Sequence, residues 1–132
     1  MEKVRYVAYT KNDKEIVRSG IVAIQEVLMG TDADRKRSLL FCLDWFMDPY
    51  YGQDISDIHD ELVELLQTVI ICPNEEDVIE DALQLLTDYE WPPFKILENN
   101  LDNIPKNIKP DVLYAINMDK SEELLSEINP KI

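Results

Sequence analysis

Apolar residues recur at steps of three and four along most of this chain, the spacing of one face of an α-helix. The clearest run is Ile55, Ile58, Leu62, Leu65 and Val69, closed by Pro73. Asp54, Asp57, Glu61 and Glu64 follow the same steps one residue earlier, which sets an acidic stripe beside the apolar one. Upstream, Ile16, Val17, Ile21, Ile24 and Leu28 predict one helix, capped by Asn12 or Asp13, that runs to about Leu28 and stops at Gly30. Leu39, Leu40, Leu43, Phe46 and Met47 predict another, from Thr31 or Asp32 to Pro49, followed by a loop at 49–53 with adjacent tyrosines Tyr50 and Tyr51. Asn74 is placed to cap the next helix, with Asp77 three residues on in a capping-box-like arrangement. In that helix Val78, Ile79, Ala82, Leu85 and Leu86 face inward, while Asp77, Asp81, Gln84 and Asp88 form a second polar stripe. Trp91-Pro92-Pro93 breaks the chain. Short helices are then expected from Pro93 to about Leu101, over about 110–117, and from Ser121 to near Ile128. Residues 2–9 fit an alternating or a helical pattern, and a short helix is the preferred reading.

These elements predict a single all-α domain over residues 1–132, built from seven or eight short antiparallel helices. Three glycines in the whole chain are too few for the turns of a sandwich or barrel. The helices are expected to pack as helical hairpins, in a solenoid or a compact bundle. Asp77-Val78 recurs as Asp111-Val112, each pair followed by apolar positions at helical spacing, with a short proline-introduced helix between. Over about residues 54–128 this organisation resembles the helix pairs of HEAT and armadillo repeats, although their turn pattern of proline, aspartate and arginine is not visible.

The charge is strongly negative and unevenly placed along the chain. The formal net charge is −14. Residues 1–43 carry a net of +2, residues 44–102 a net of −15 with Lys95 as the one basic side chain, and residues 103–132 a net of −1. Such segregation opposes folding, because like charges on neighbouring helix turns repel by roughly 0.2–0.5 kcal/mol per pair. It disfavours nucleic-acid phosphate and anionic membrane surfaces, and it suits a basic protein partner. The alternative is an acidic face that only keeps the protein solvated. Tyr50, Tyr51, Tyr89 and Trp91 lie in loops beside acidic residues, where aromatic rings anchor interfaces. Trp45, in mid-helix near the apolar face, is expected in the core.

Little points to catalysis. His59 is the single histidine, which rules out a multi-histidine metal site, and no glycine-rich phosphate loop, nucleophile elbow, calcium loop or ExxH pair occurs. No cofactor, metal or catalytic residue is therefore assigned, and an enzyme built on carboxylates is the least favoured reading. The longest apolar run, Val69-Ile70-Ile71-Cys72, is far short of a membrane span, and residues 1–10 lack a signal-peptide core. Cys42 and Cys72 read as buried free thiols of a reducing cytoplasm.

In size, acidity and helical style the chain resembles small bacterial immunity proteins, which neutralise a cognate toxin, often a cationic nuclease. The resemblance implies a non-catalytic, cytoplasmic protein whose acidic residues cover a basic toxin. The residues expected to do so are Asp57, Glu61, Glu64, Asp77, Asp81 and Asp88, with Tyr51 and Trp91 as apolar anchors. A helical-repeat adaptor in a larger assembly is the second expectation.

Overall fold

The computed structural model describes residues 9–118, and among them the fold is all-α, with no strand. Seven helices follow one another: α1 (Lys11–Ser19), α2 (Ile21–Leu28), α3 (Ala33–Met47), α4 (His59–Ile71), α5 (Glu76–Tyr89), α6 (Lys95–Glu98) and α7 (Lys109–Ile116). The helix expected from Ser121 lies outside the described residues, as does all but Tyr9 of the one expected over 2–9.

The helices pack in two rows. Helices α1, α3, α5 and α7 touch in that order along one row, and α2, α4 and α6 along the other. The largest helix pairing is between α4 and α5, which cross from one row to the other. These two are antiparallel, since His59 at the start of α4 meets Glu90 at the end of α5. Helices α3 and α5 run parallel instead: Arg37 near the start of α3 reaches Asp81, and Asp44 towards its end accepts from Tyr89 at the end of α5. Val78 and Val112, the repeated positions, are both fully buried on the neighbouring helices α5 and α7.

The periodic apolar residues form one continuous core that includes Ile24, Leu28, Leu39, Leu43, Leu62, Leu66, Ile70, Ile79 and Leu86. Among the described residues three polar side chains are buried with it, and each is tied down. Asp13 accepts from the Thr10 backbone and from the Ser38 hydroxyl. Lys36 donates its ammonium to Asn74 Oδ1, and Asn74 in turn donates to the Val69 carbonyl. Gln67 accepts from the backbone N–H groups of Ile96 and Leu97 and so caps the start of α6. A buried polar group left unpaired would cost roughly 1–3 kcal/mol, which is why these links are made.

Five local expectations are corrected. The single helix over residues 12–28 is two, because Gly20 adopts φ 110°, a conformation that suits only glycine. Thr10, not Asn12 or Asp13, caps α1, with Asp13 reaching back to form the capping box. Asn74 does not cap α5: Glu75 stands at that position without a side-chain bond, and the Lys36 ammonium has claimed the Asn74 carbonyl oxygen. The helix expected from Pro93 to Leu101 shrinks to one turn, α6, followed by a 3-10 turn at Leu101–Asn103. Trp45, expected in the core, is only partly buried and packs against the core from outside.

Candidate functional site

The parallel run of α3 and α5 brings two helix C-termini to one end of the molecule. A helix C-terminus carries partial negative charge and is normally matched by a cation. Neither helix has a basic residue in its last turn. Asp44 and Asp48 stand at the end of α3, and Asp88 and Glu90 at the end of α5.

Three of these carboxylates, Asp44, Asp48 and Asp88, act on Tyr89. Its hydroxyl donates to Asp44 Oδ1 at 2.5 Å. Burial pushes the phenol well above its ordinary pKa; the hydrogen bond to Asp44 and the negative charges of Asp44, Asp48 and Asp88 push it in the same direction.

A cavity of about 580 Å³ opens at this end, lined by Phe46, Met47, Ile55 and Tyr89 and by the carboxylates of Asp54, Asp60, Asp88 and Glu90. His59 is the one basic side chain on its wall. Its Nδ1 lies 3.1 Å from Asp60 Oδ1, and its Nε2 lies 2.9 and 3.0 Å from the two Glu90 oxygens. Carboxylates only accept hydrogen bonds, so the doubly protonated ring satisfies all of these contacts. The pKa of His59 is accordingly raised, first by the bond to Asp60 and then by Glu90, against an opposing effect of burial. Asp54 is held below its ordinary value by the Ser56 hydroxyl and backbone N–H.

A second, smaller groove of about 270 Å³ continues between α3 and α5. Leu40, Phe41 and Leu85 give it apolar walls, and Arg37, Asp44, Asp81, Gln84 and Asp88 give it polar ones. Asp88 lines both spaces and joins them. Beside the groove an aromatic row runs along α3 and into the following turn. Tyr9 packs on Phe41 and on Trp45, Trp45 on Tyr51, and Tyr51 on Tyr50, with ring centroids 5.2–6.4 Å apart. Phe41 is 42% exposed and Tyr50 86%. The Lys14 ammonium sits 4.5 Å from the Trp45 ring centroid, so the row already engages a cation of its own chain.

The eight residues singled out from sequence divide among different places. Tyr51 is exposed on the aromatic row, and Asp88 joins the two spaces. Asp81 holds Arg37 through Nε at 2.7 Å, and Asp77 lies 3.7 Å from the same guanidinium. Both are thereby matched with a cation inside the fold. Asp57 sits in the 3-10 turn that leads into α4, and Glu61 and Glu64 lie on that helix; all three are exposed and line neither space. Trp91 is 50% exposed on the loop after α5. The sequence reading missed Phe41, Asp44, Asp54, His59 and Glu90 as members of the site. The acidity of residues 44–102 was the available signal for the carboxylates among them.

Among the described residues no group of three or more histidine, cysteine, aspartate or glutamate side chains is arranged to hold a metal ion. Among them, too, no helix is long and apolar enough to cross a membrane. Both cysteines are free; Cys42 is buried, and burial pushes its thiol up to about 11, while Cys72 is partly exposed. No protein-family model, curated protein or solved structure matches the chain.

Proposed function

We propose that this chain is a non-catalytic binding module that docks a basic protein on the acidic end formed by α3, α4 and α5. The observation that carries the reading is the gathering of Asp54, Asp60, Asp88 and Glu90 around an open cavity, with Asp44 and Asp48 acting on Tyr89 of its wall, at two helix C-termini whose last turns hold no basic residue. A cationic surface placed there gains Coulomb attraction, and exposed Phe41, Tyr50 and Tyr51 offer apolar contact beside it. The biological role that best fits a small acidic module of this kind is that of a cytoplasmic bacterial immunity protein, which occupies the substrate-binding surface of a cationic toxin such as a nuclease.

A second reading, a helical-repeat adaptor, is favoured by the two rows of helices and by the equivalent placement of Val78 and Val112. Such rows present extended surfaces to partners. The two readings differ in consequence: an immunity protein abolishes its partner's activity, and an adaptor does not.

The test is capture of partners from the native host at low and at high salt, followed by charge reversal. A basic protein should bind and weaken with salt, and Asp54→Lys, Asp60→Lys and Asp88→Lys together should weaken it by at least about tenfold. A partner retained unchanged by that triple variant would overturn the reading. Asp77 and Asp81 are unsuitable for reversal, because they hold Arg37 within the fold.

A further inference from the structure

The groove between α3 and α5 repeats a position without repeating its charge. At one end Arg37 of α3 pairs with Asp81 of α5, with Nε–Oδ2 at 2.7 Å and Nη2–Oδ1 at 3.4 Å. Seven residues are about two helical turns. That step takes Arg37 to Asp44 on α3 and Asp81 to Asp88 on α5. Because the helices run parallel, both members of the second rung line the same groove. The first rung is cation against carboxylate; the second sets carboxylate against carboxylate. The donors that serve the second rung are neutral: the Tyr89 hydroxyl for Asp44 and the Gln84 amide for Asp88. Phe41, one turn before Asp44, adds an exposed ring to the same groove.

We propose that this second rung is the seat of an arginine side chain supplied by the basic partner, its guanidinium lying between Asp44 and Asp88 and against the Phe41 ring. The proposal rests on the reading of the chain as an acidic binding module and names the contact that defines its specificity. The groove of about 270 Å³ is of side-chain size, so one extended side chain occupies it while the rest of the partner stays outside. Charge complementarity selects a cation, and the chemistry of the guanidinium favours arginine over lysine. A planar guanidinium presents a fork of donors to two carboxylates at once, stacks on an aromatic face and sheds water more readily than an ammonium group. The Arg37–Asp81 pair shows that the two helices are spaced to hold a guanidinium against α5.

The full chain, labelled for amide NMR, is titrated at low salt with an arginine-bearing alanine-based peptide and with its equally charged lysine version. The arginine peptide should shift the amides of Phe41, Asp44, Gln84 and Asp88, and should bind about fivefold or more tighter than the lysine peptide. Phe41→Ala, which removes an exposed ring, and Asp88→Asn should each weaken it by about tenfold. Asp88→Lys places a cation in the rung from within; it should abolish binding there and raise the thermal midpoint. Equal affinity for the two peptides, or no effect of Asp88→Asn, would overturn the proposal. Shifts confined to Asp54, Asp60 and Glu90 would overturn this seat and leave the acidic-module reading standing. No binding of either peptide anywhere on the chain would bring down both.

Discussion

Replacing Tyr89 by phenylalanine isolates one hydrogen bond between the two parallel helices. The ring and its packing against the core stay, and the hydroxyl that donates to Asp44 at 2.5 Å is lost. A hydrogen bond to a charged acceptor contributes roughly 1.5–3 kcal/mol to stability. Asp44 is only partly buried, so water replaces part of what it loses, and the expected cost falls to about 1–2 kcal/mol. For a chain of this size that lowers Tm by about 3–10 °C. Urea unfolding followed by circular dichroism at neutral pH measures the cost directly. The pH dependence supplies an independent check. The folded-state pKa of Tyr89 is raised, so the folded protein holds this proton more tightly than the unfolded chain does. Its contribution is complete below the ordinary tyrosine value of about 10 and is lost as pH rises above it. The stability gap between wild type and Tyr89→Phe should therefore be constant near neutrality and shrink between about pH 9.5 and pH 11. The other tyrosines are common to both proteins and cancel in the difference. A gap below about 0.3 kcal/mol at neutral pH, or one that does not narrow in alkali, would refute the assignment of Tyr89 as the clasp between α3 and α5.

Gln67→Leu should destabilise the fold by about 2–4 kcal/mol and collapse the hydrogen-exchange protection of the Ile96 and Leu97 amides, since both lose their acceptor; unchanged protection would remove Gln67 from the capping of α6. His59, as the only histidine, gives a single ring resonance in a pH titration. Its midpoint should lie above about 6.5, and Glu90→Gln should lower it. Because the folded value is raised, the stability His59 adds is complete below the ordinary value and is lost as pH rises through the raised one, and a midpoint indifferent to Glu90→Gln would exclude the pairing. Of the two cysteines, Cys72 alone should react with a thiol reagent in the native protein, with Cys42 released only by denaturant; prompt modification of both would place Cys42 outside the core.

The helices were legible because their apolar positions keep one period: Leu62, Leu65 and Val69 on α4, and Val78, Ile79, Ala82, Leu85 and Leu86 on α5, all lie in the core. The break at Gly20 was hidden by that same regularity. Ile16, Val17, Ile21 and Ile24 run through the glycine without a change of phase, and periodicity does not report a backbone angle. Asn74 misled for a different reason. Its local sequence suits a cap, and its actual partner, Lys36, is 38 residues away. The site was legible in charge but not in place. Asp44 reads as one polar residue in an apolar helix until α5 is known to lie parallel to α3, and nothing local records that pairing. The acidic stripes of α4 and α5, read alike from sequence, differ in the fold because only the α5 stripe meets Arg37.

Under the proposed reading, the distribution of cations accounts for the choice of the acidic end as the docking surface. Arg37 neutralises the start of α5, where carboxylates already suit the positive end of a helix. His59 serves Asp60 and Glu90. No basic residue stands in the last turn of α3 or of α5, where the helix ends are negative and Asp44, Asp48 and Asp88 add to them. Each such placement opposes folding by roughly 0.3–1 kcal/mol. The opposite arrangement, with the carboxylates at the start of α5 left unpaired and cations at its end, would stabilise the isolated chain better. A cationic group from outside therefore gains twice at this end: it is attracted by the carboxylates, and it relieves a repulsion that the folded chain already carries. A net charge spread evenly over the surface would provide the attraction alone.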